Sequence, residues 1–232
     1  KMSLVVTRDL NMSFGGDVVL KSADINIEAG SIVGLLGRNG SGKSTLLKLL
    51  AGILSPTRGT VNIAGMAAGV GPRAMTYYSA DADYFYANMT VHQQLKFIAG
   101  FYSSWDWDKC FSMLEQQNIP AEKKIALLSE GQKAKLKLII CFSWEAGLVL
   151  LDEPFKGIDL PSKQVILDTI INEYRYEQQT IILSTHHINE TERILDQVLI
   201  LKDGNLVYAG ELDALRQEKQ ASLAQIFVEM TA

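Results

Sequence analysis

Gly37-Arg38-Asn39-Gly40-Ser41-Gly42-Lys43-Ser44, followed by Thr45, has the residue types and spacing to hold a polyphosphate. The glycines let the backbone turn tightly and bring N–H groups close to phosphate oxygens. A helix opening at Lys43 points the positive end of its dipole at the same anion. Lys43 adds a full charge toward the β- and γ-phosphates of a nucleoside triphosphate, and the Ser44 hydroxyl can take a position on Mg²⁺. Taken alone, this loop is common to kinases, GTPases and repair ATPases. A second set of groups narrows the chemistry. Leu148-Val149-Leu150-Leu151 is a continuous apolar run that ends in two carboxylates, Asp152 and Glu153. An Asp at the end of such a strand can hold Mg²⁺ directly or through water. Glu153 can then act as general base on the attacking water. His186 lies just past another apolar run, Thr180 to Ser184, within reach of a γ-phosphate or its attacking water; His187 beside it offers the same chemistry.

These groups need a scaffold that brings strand ends together. Ser31 to Leu36 reads as a strand entering the glycine-rich turn, and Lys43 to Ala51 as a helix with Leu46, Leu47, Leu49 and Leu50 on its apolar side. Gly52 suits the end of that helix, and Pro56 follows. The runs at Leu148 and Thr180 read as strands buried on both faces, with a helix from about Pro161 to Tyr174 between them. This alternation predicts an α/β core with a mostly parallel sheet. Leu4 to Thr7, Val18 to Leu20 and Ile25 to Ile27 predict short antiparallel strands at the N-terminus. Val198 to Leu201 and Leu206 to Tyr208 flank the hairpin turn Asp203-Gly204. The stretch from about Asn88 to Glu145 has a different character. Trp107, Cys110, Phe111 and Leu114 share one helical face, and Pro120 stops that helix. The organisation expected is a single domain over 1–232, with residues 1–87 and 146–232 as the core and 88–145 as an inserted helical subdomain.

Composition removes several alternatives. The chain has 26 acidic and 22 basic residues, a formal charge of −4, which disfavours a nucleic-acid partner. Cys110 and Cys141 are far apart and have no metal-ligand spacing, so they read as reduced structural thiols of a cytosolic protein. Lys1 precedes Met2, and no targeting segment is expected. The longest apolar stretch, Leu136 to Leu151, is broken by Lys137 and Glu145 and is too short to span a bilayer.

With these residues assembled, the chain resembles an ABC-type ATPase cassette over nearly its whole length. Leu128-Ser129-Glu130-Gly131-Gln132 is similar to the family signature L-S-G-G-Q, and Gln132 lies 20 residues before Asp152. The run Asp152-Glu153-Pro154-Phe155-Lys156-Gly157-Ile158-Asp159 resembles the acidic strand end leading into the D-loop, with Asp159 as its aspartate. Ser184-Thr185-His186 resembles the switch-histidine motif, which gives His186 that role over His187. Phe14 occupies the place of the aromatic that stacks on adenine. The resemblance implies a P-loop NTPase core with an N-terminal antiparallel β-subdomain and a helical subdomain. It also implies ATP and Mg²⁺ as ligands and a head-to-tail dimer in which Ser129, Glu130, Gly131 and Gln132 of one copy face the nucleotide of the other. Such a cassette would work at the cytoplasmic face of the cell membrane through a separate permease subunit. The stretch Phe101-Tyr102-Ser103-Ser104-Trp105-Asp106, with Lys123-Lys124 and a lysine-rich signature helix, is similar to stand-alone ATPase subunits of bacterial exporter-type systems, some linked to antimicrobial-peptide defence.

The sequence departs from the family pattern in places. Glu130 stands where the signature has glycine; its side chain is expected to point away from the phosphates. The glutamine of the Q-loop is absent, and the offset from Asn88-Met89-Thr90-Val91 leads to Asp81, a further candidate for Mg²⁺ through water. Phe155 and Lys156 replace smaller residues, and nothing in the sequence accounts for them. Two other functions stand beside transport: a soluble ABC ATPase and an ATP-binding switch without turnover. No heptads lie between Lys43 and Ser129 and only one cassette is present, which weighs against the first. Glu153 and His186 weigh against the second.

Overall fold

The computed structural model describes residues 2–67, 70–102, 104–176 and 178–232. Ser103, part of the exporter-like stretch, lies outside the described residues. Along the chain run β1 (Ser3–Phe14), β2 (Asp17–Glu28), β3 (Ile32–Gly37), α1 (Lys43–Leu50), β4 (Arg58–Ile63), β5 (Met66–Ala67), α2 (Val70–Arg73), β6 (Thr76–Ser79), α3 (Val91–Ala99), α4 (Trp107–Gln116) and α5 (Glu130–Phe142). They are followed by β7 (Leu148–Asp152), α6 (Leu160–Glu173), β8 (Thr180–Thr185), α7 (Ile188–Thr191), β9 (Gln197–Lys202), β10 (Asn205–Glu211), α8 (Leu212–Lys219) and α9 (Leu223–Thr231). The chain divides into two units. One takes in the chain up to Tyr78, Gly147–Pro154 and Arg175–Ala232; the other holds Ser79–Ala146 and Phe155–Tyr174.

Among the described residues the strands follow the order β5-β4-β1-β2-β10-β9-β3-β8-β7-β6. The centre is parallel: β3 pairs with β8 and β9, and β7 with β8. Every residue of β3, β7 and β8 is buried, as their unbroken apolar runs require of strands covered on both faces. Their carboxyl ends therefore share one edge, where the phosphate loop and the acidic pair leave the sheet. The helix α1 buries Leu46, Leu47, Leu49 and Leu50 in a core shared with Leu20, Val33, Leu35 and Leu148. Each such leucine contributes about 1.5–3 kcal/mol of burial. This core fixes the helix whose first residue is Lys43.

The antiparallel strands are longer than the sequence suggests. β1 and β2 each run for 12 residues. Their apparent breaks are bulges: the register shifts between Thr7 and Leu10, and both Asp9 and Ser22 sit at positive φ. Ser22 Oγ donates to Asp9 Oδ1 at 2.8 Å, and Asp9 N donates to Asp24 Oδ1 at 2.6 Å. An extra residue on one strand interrupts the alternation without ending the strand. The hairpin between β9 and β10 turns at Asp203 (φ 46) and Gly204 (φ 80), as its sequence predicts.

The second unit is helical and wider than residues 88–145. It starts at Ser79 and also takes in α6, which the sequence places in the core. Its own contacts explain this. Gln117 Nε2 donates to Thr169 Oγ1 at 3.1 Å, and Lys109 pairs with Glu173 at 2.7 Å. α4 ends at Gln116, with Asn118 at φ 54, so the turn precedes Pro120 rather than being made by it. Phe155 is fully buried, so its large side chain serves packing.

Cys110 and Cys141 are both free and completely buried. Burial among apolar groups raises both thiols above the ordinary range, Cys141 most. Because the thiolate is the reactive form, iodoacetamide at neutral pH is expected to label neither residue in the native protein and both after denaturation, read by mass spectrometry.

Candidate functional site

In the first unit, the carboxyl edge of β3, β7 and β8 assembles one polar cluster. The loop after β3 rises through Gly40 (φ 80) and Gly42 (φ 105). A Cβ at Gly42 would lie 2.8 Å from Leu20 Cδ2 and 3.0 Å from the Val19 carbonyl, so this position requires glycine twice over. Arg38, Asn39 and Gly40 are exposed, Ser41 and Gly42 are buried, Ser44 is exposed and Thr45 is half-buried. Lys43 is 6% exposed. Its Nζ donates to the carbonyls of Gly37 (2.8 Å) and Arg38 (3.2 Å) and lies 3.5 Å from Glu153 Oε1.

Asp152 closes the cluster from β7. Its Oδ1 accepts from Ser44 Oγ at 3.1 Å and from Ser184 Oγ at 2.7 Å, and its Oδ2 accepts from Tyr78 Oη at 3.2 Å. Glu153 follows at φ 49, a conformation uncommon outside glycine. Ser184 Oγ holds it there by accepting from Glu153 N at 2.9 Å. Glu153 Oε2 is 2.8 Å from His186 Nδ1. His187 turns to different partners: its N–H donates to Thr185 Oγ1 at 2.9 Å, and its Nδ1 is 3.8 Å from Glu190. The structure thus brings together Lys43, Ser44, Asp152, Glu153 and His186. Phe14, at the end of β1 before the Gly15-Gly16 turn, is 45% exposed.

Ser184 and Tyr78 were not singled out from the sequence. Ser184 could have been, as the first residue of the Ser184-Thr185-His186 motif. Tyr78 sits on the four-residue strand β6, and nothing local in the sequence marks it.

The residues fit a nucleotide with its cation. Ser41 Oγ is buried with no hydrogen-bond partner among the described residues, so the loop retains an unsatisfied hydroxyl. Ser44 and Asp152 offer two oxygen ligands. Among the described residues, no group of three or more His, Cys, Asp and Glu is placed to hold a metal. A cation here would therefore complete its shell from phosphate and water, as Mg²⁺ does.

The second unit carries the signature segment. Ser129 caps α5 with a reciprocal box: Ser129 Oγ accepts from Gln132 N, and Gln132 Oε1 accepts from Ser129 N, both at 3.2 Å. Glu130 begins the helix with ordinary helical φ, so its substitution for glycine carries no backbone strain. Its carboxylate pairs with Lys133 at 3.1 Å. Gly131 is buried, and a Cβ there would lie 2.9 Å from Ser162 Oγ in the first turn of α6. Asp159 caps α6 by accepting from Ser162 N at 3.2 Å, and hydrogen bonds from Ser162 hold its carboxyl below the usual carboxylate range. Asp81 pairs with Lys156 at 2.6 Å. The two departures from the family pattern thus meet each other.

A glycine-turned loop at a helix start, facing a strand-end acidic pair, defines a P-loop nucleotide-binding α/β protein. The comparisons carry this further. The sequence pattern of the ABC transporter family matches residues 20–156. The chain is 31% identical over 217 residues to the ABC transporter ATP-binding protein YtrB of Bacillus subtilis (strain 168), spanning 93% of this chain and 74% of that protein. It is 30% identical over 242 residues to the ABC-type transporter ATP-binding protein EcsA of the same organism, spanning 99% and 97%. A solved structure described as the ATP binding subunit of an ABC transporter superposes with a TM-score of 0.88 at 28% identity, covering 99% of this chain and 100% of that one. The chain belongs to the ABC transporter family as one of its ATP-binding cassettes.

Ser184→Ala removes the acceptor of Glu153 N and a donor to Asp152 at once. Leaving the buried groups unpaired is expected to cost about 1–3 kcal/mol in a urea titration. Ser184→Thr is expected to retain most of that stability.

Proposed function

We propose that this cassette binds ATP with Mg²⁺ and hydrolyses it within a head-to-tail pair of cassettes, driving a separate membrane permease. The observation that carries the reading is the contact of Glu153 with both Lys43 and His186. A carboxylate held between two potential cations, directly after a metal-binding Asp, is positioned as a base at the γ-phosphate. Lys43 and the loop N–H groups bind the β- and γ-phosphates, and Phe14 offers a face to the adenine. When bound, Mg²⁺ would supply positive charge to the triphosphate, and Ser44 and Asp152 would hold it. Glu153 accepts the proton of the attacking water as its oxygen bonds to the γ-phosphorus and the bond to ADP breaks. His186 fixes the Glu153 carboxylate and can donate toward the γ-phosphate. Asp81 remains a candidate for a water-mediated contact with the cation, in competition with Lys156.

The pairing follows from the signature. Ser129, Gly131 and the N-terminus of α5 form a donor set for an anion, which in this arrangement is the nucleotide of the other copy. Asp159 would lie near the same junction. The permease partner is supported by the second unit's aromatic row. Tyr86, Phe97 and Phe101 are 53%, 43% and 73% exposed, and their rings follow one another at 5.4 and 5.3 Å. Exposed aromatics of this kind suit a protein partner. Among the described residues no helix is long and apolar enough to cross a membrane, so attachment at the cytoplasmic face would run through that partner. The acidic balance of the chain disfavours nucleic acid.

Phosphate release from ATP with Mg²⁺ is the test. Glu153→Gln is expected to lower turnover by about 10²–10⁴-fold while ATP affinity is retained. Equal rates for the two proteins would overturn hydrolysis and leave a nucleotide-binding switch.

A further inference from the structure

The signature's Glu130 presents an electrostatic problem. A carboxylate in the first turn of α5 suits the helix dipole but opposes any phosphate brought to the same helix end. Lys133, one turn on, answers it. Its Nζ is 3.1 Å from Glu130 Oε1 and 2.9 Å from Asp83 Oδ2, so one ammonium is shared by two carboxylates. Hydrogen bonds from Asp83 and then Glu130 raise the Lys133 pKa and keep it charged. Asp83 does not reach Lys133 by chance of an unrestrained loop. Lys137, on the next turn of α5, donates to three consecutive carbonyls, Ala80 (2.9 Å), Asp81 (3.3 Å) and Ala82 (3.2 Å). Lys156 holds the Asp81 carboxylate. The segment 80–83 is therefore fastened to the helix that carries the signature.

We propose that Lys133 is a positioning residue of the signature: it cancels Glu130, and Asp83 sets how much of its charge is available to do so. The proposal rests on the head-to-tail reading above. With Asp83 on Lys133, the cation is divided between two anions. With Asp83 withdrawn, all of it serves Glu130, and the end of α5 becomes more attractive to the partner's nucleotide. Displacement of segment 80–83 is thereby converted into a change of affinity between the two cassettes, with no movement of Ser129 required.

The experiment uses the full chain carrying Glu153→Gln, which slows turnover, and measures the dimer dissociation constant with ATP and Mg²⁺ by analytical ultracentrifugation. In this background Lys133→Met is expected to weaken dimerisation roughly tenfold or more, because Glu130 and Asp83 then lose their shared ammonium near the helix end. Lys133→Arg is expected to stay within about threefold of the parent, since the charge is preserved. Adding Glu130→Gln to Lys133→Met is expected to restore most of the lost affinity, and Asp83→Asn alone is expected to tighten the dimer. Exposed ion pairs contribute little to folding, so melting temperatures should vary little across the set. If Lys133→Met changes nothing, or if its effect follows a fall in melting temperature that Glu130→Gln does not relieve, Lys133 is merely structural and the proposal is overturned. If the Glu153→Gln parent itself fails to dimerise with ATP, the head-to-tail reading falls and takes this proposal with it.

Discussion

A lysine ammonium taken out of water must be compensated, and the first unit is organised around that requirement. Lys43 is buried at the mouth of the phosphate loop, with two main-chain carbonyls and the Glu153 carboxylate around it. Removing a charge from water is costly unless it is paired and hydrogen-bonded. The carbonyls can reach Lys43 only because the loop turns back on itself through left-handed glycines. The carboxylate can reach it only because β7 ends beside β3's neighbour β8 in a parallel sheet. Loop geometry and sheet topology are thus tied to one cation. The same compensation keeps Glu153 in its unusual backbone conformation, with Ser184 securing its N–H and His186 its other oxygen.

Asp152 shows how such a cluster tolerates a buried carboxylate. Three hydroxyls, from Ser44, Ser184 and Tyr78, converge on it from three different elements. Each is a neutral donor that a harder ligand can replace. The carboxylate is thereby held by hydrogen bonds from neutral groups. This arrangement differs from the second unit, where Asp81, Asp83 and Glu130 are each matched to a lysine. Asp152 is held by hydroxyl groups, whereas these acids of the second unit are held by ion pairs.

Much of the site was readable because its motifs are local. The phosphate loop spans a single turn, and a strand run ending in Asp-Glu declares both burial and charge. The signature likewise writes its own capping box, Ser129 with Gln132. What escaped is long-range. Tyr78 meets Asp152 across 74 residues of sequence, and no short pattern encodes that. The bulges at Asp9 and Ser22 looked like strand ends because an inserted residue breaks alternation whether or not pairing continues. The helix α6 follows β7 in sequence, so the alternation of strands and helices assigned it to the core. Its hydrogen bond and ion pair to α4 place it with the helical unit. Lys156 had no explanation in sequence because its reason, Asp81, lies 75 positions away.

That last pair bears on how this cassette could have changed over time, and on how it can be recombined. Asp81 and Lys156 sit in separate segments of the chain, each unusual alone, and each supplies the other's counter-charge. A chimaera that carried residues 79–86 into a relative with a small uncharged side chain at the matching position would import a carboxylate without its cation. The reverse graft would import Lys156 without the carboxylate of Asp81. The two segments are joined by one ion pair, and a change at either position alone removes it.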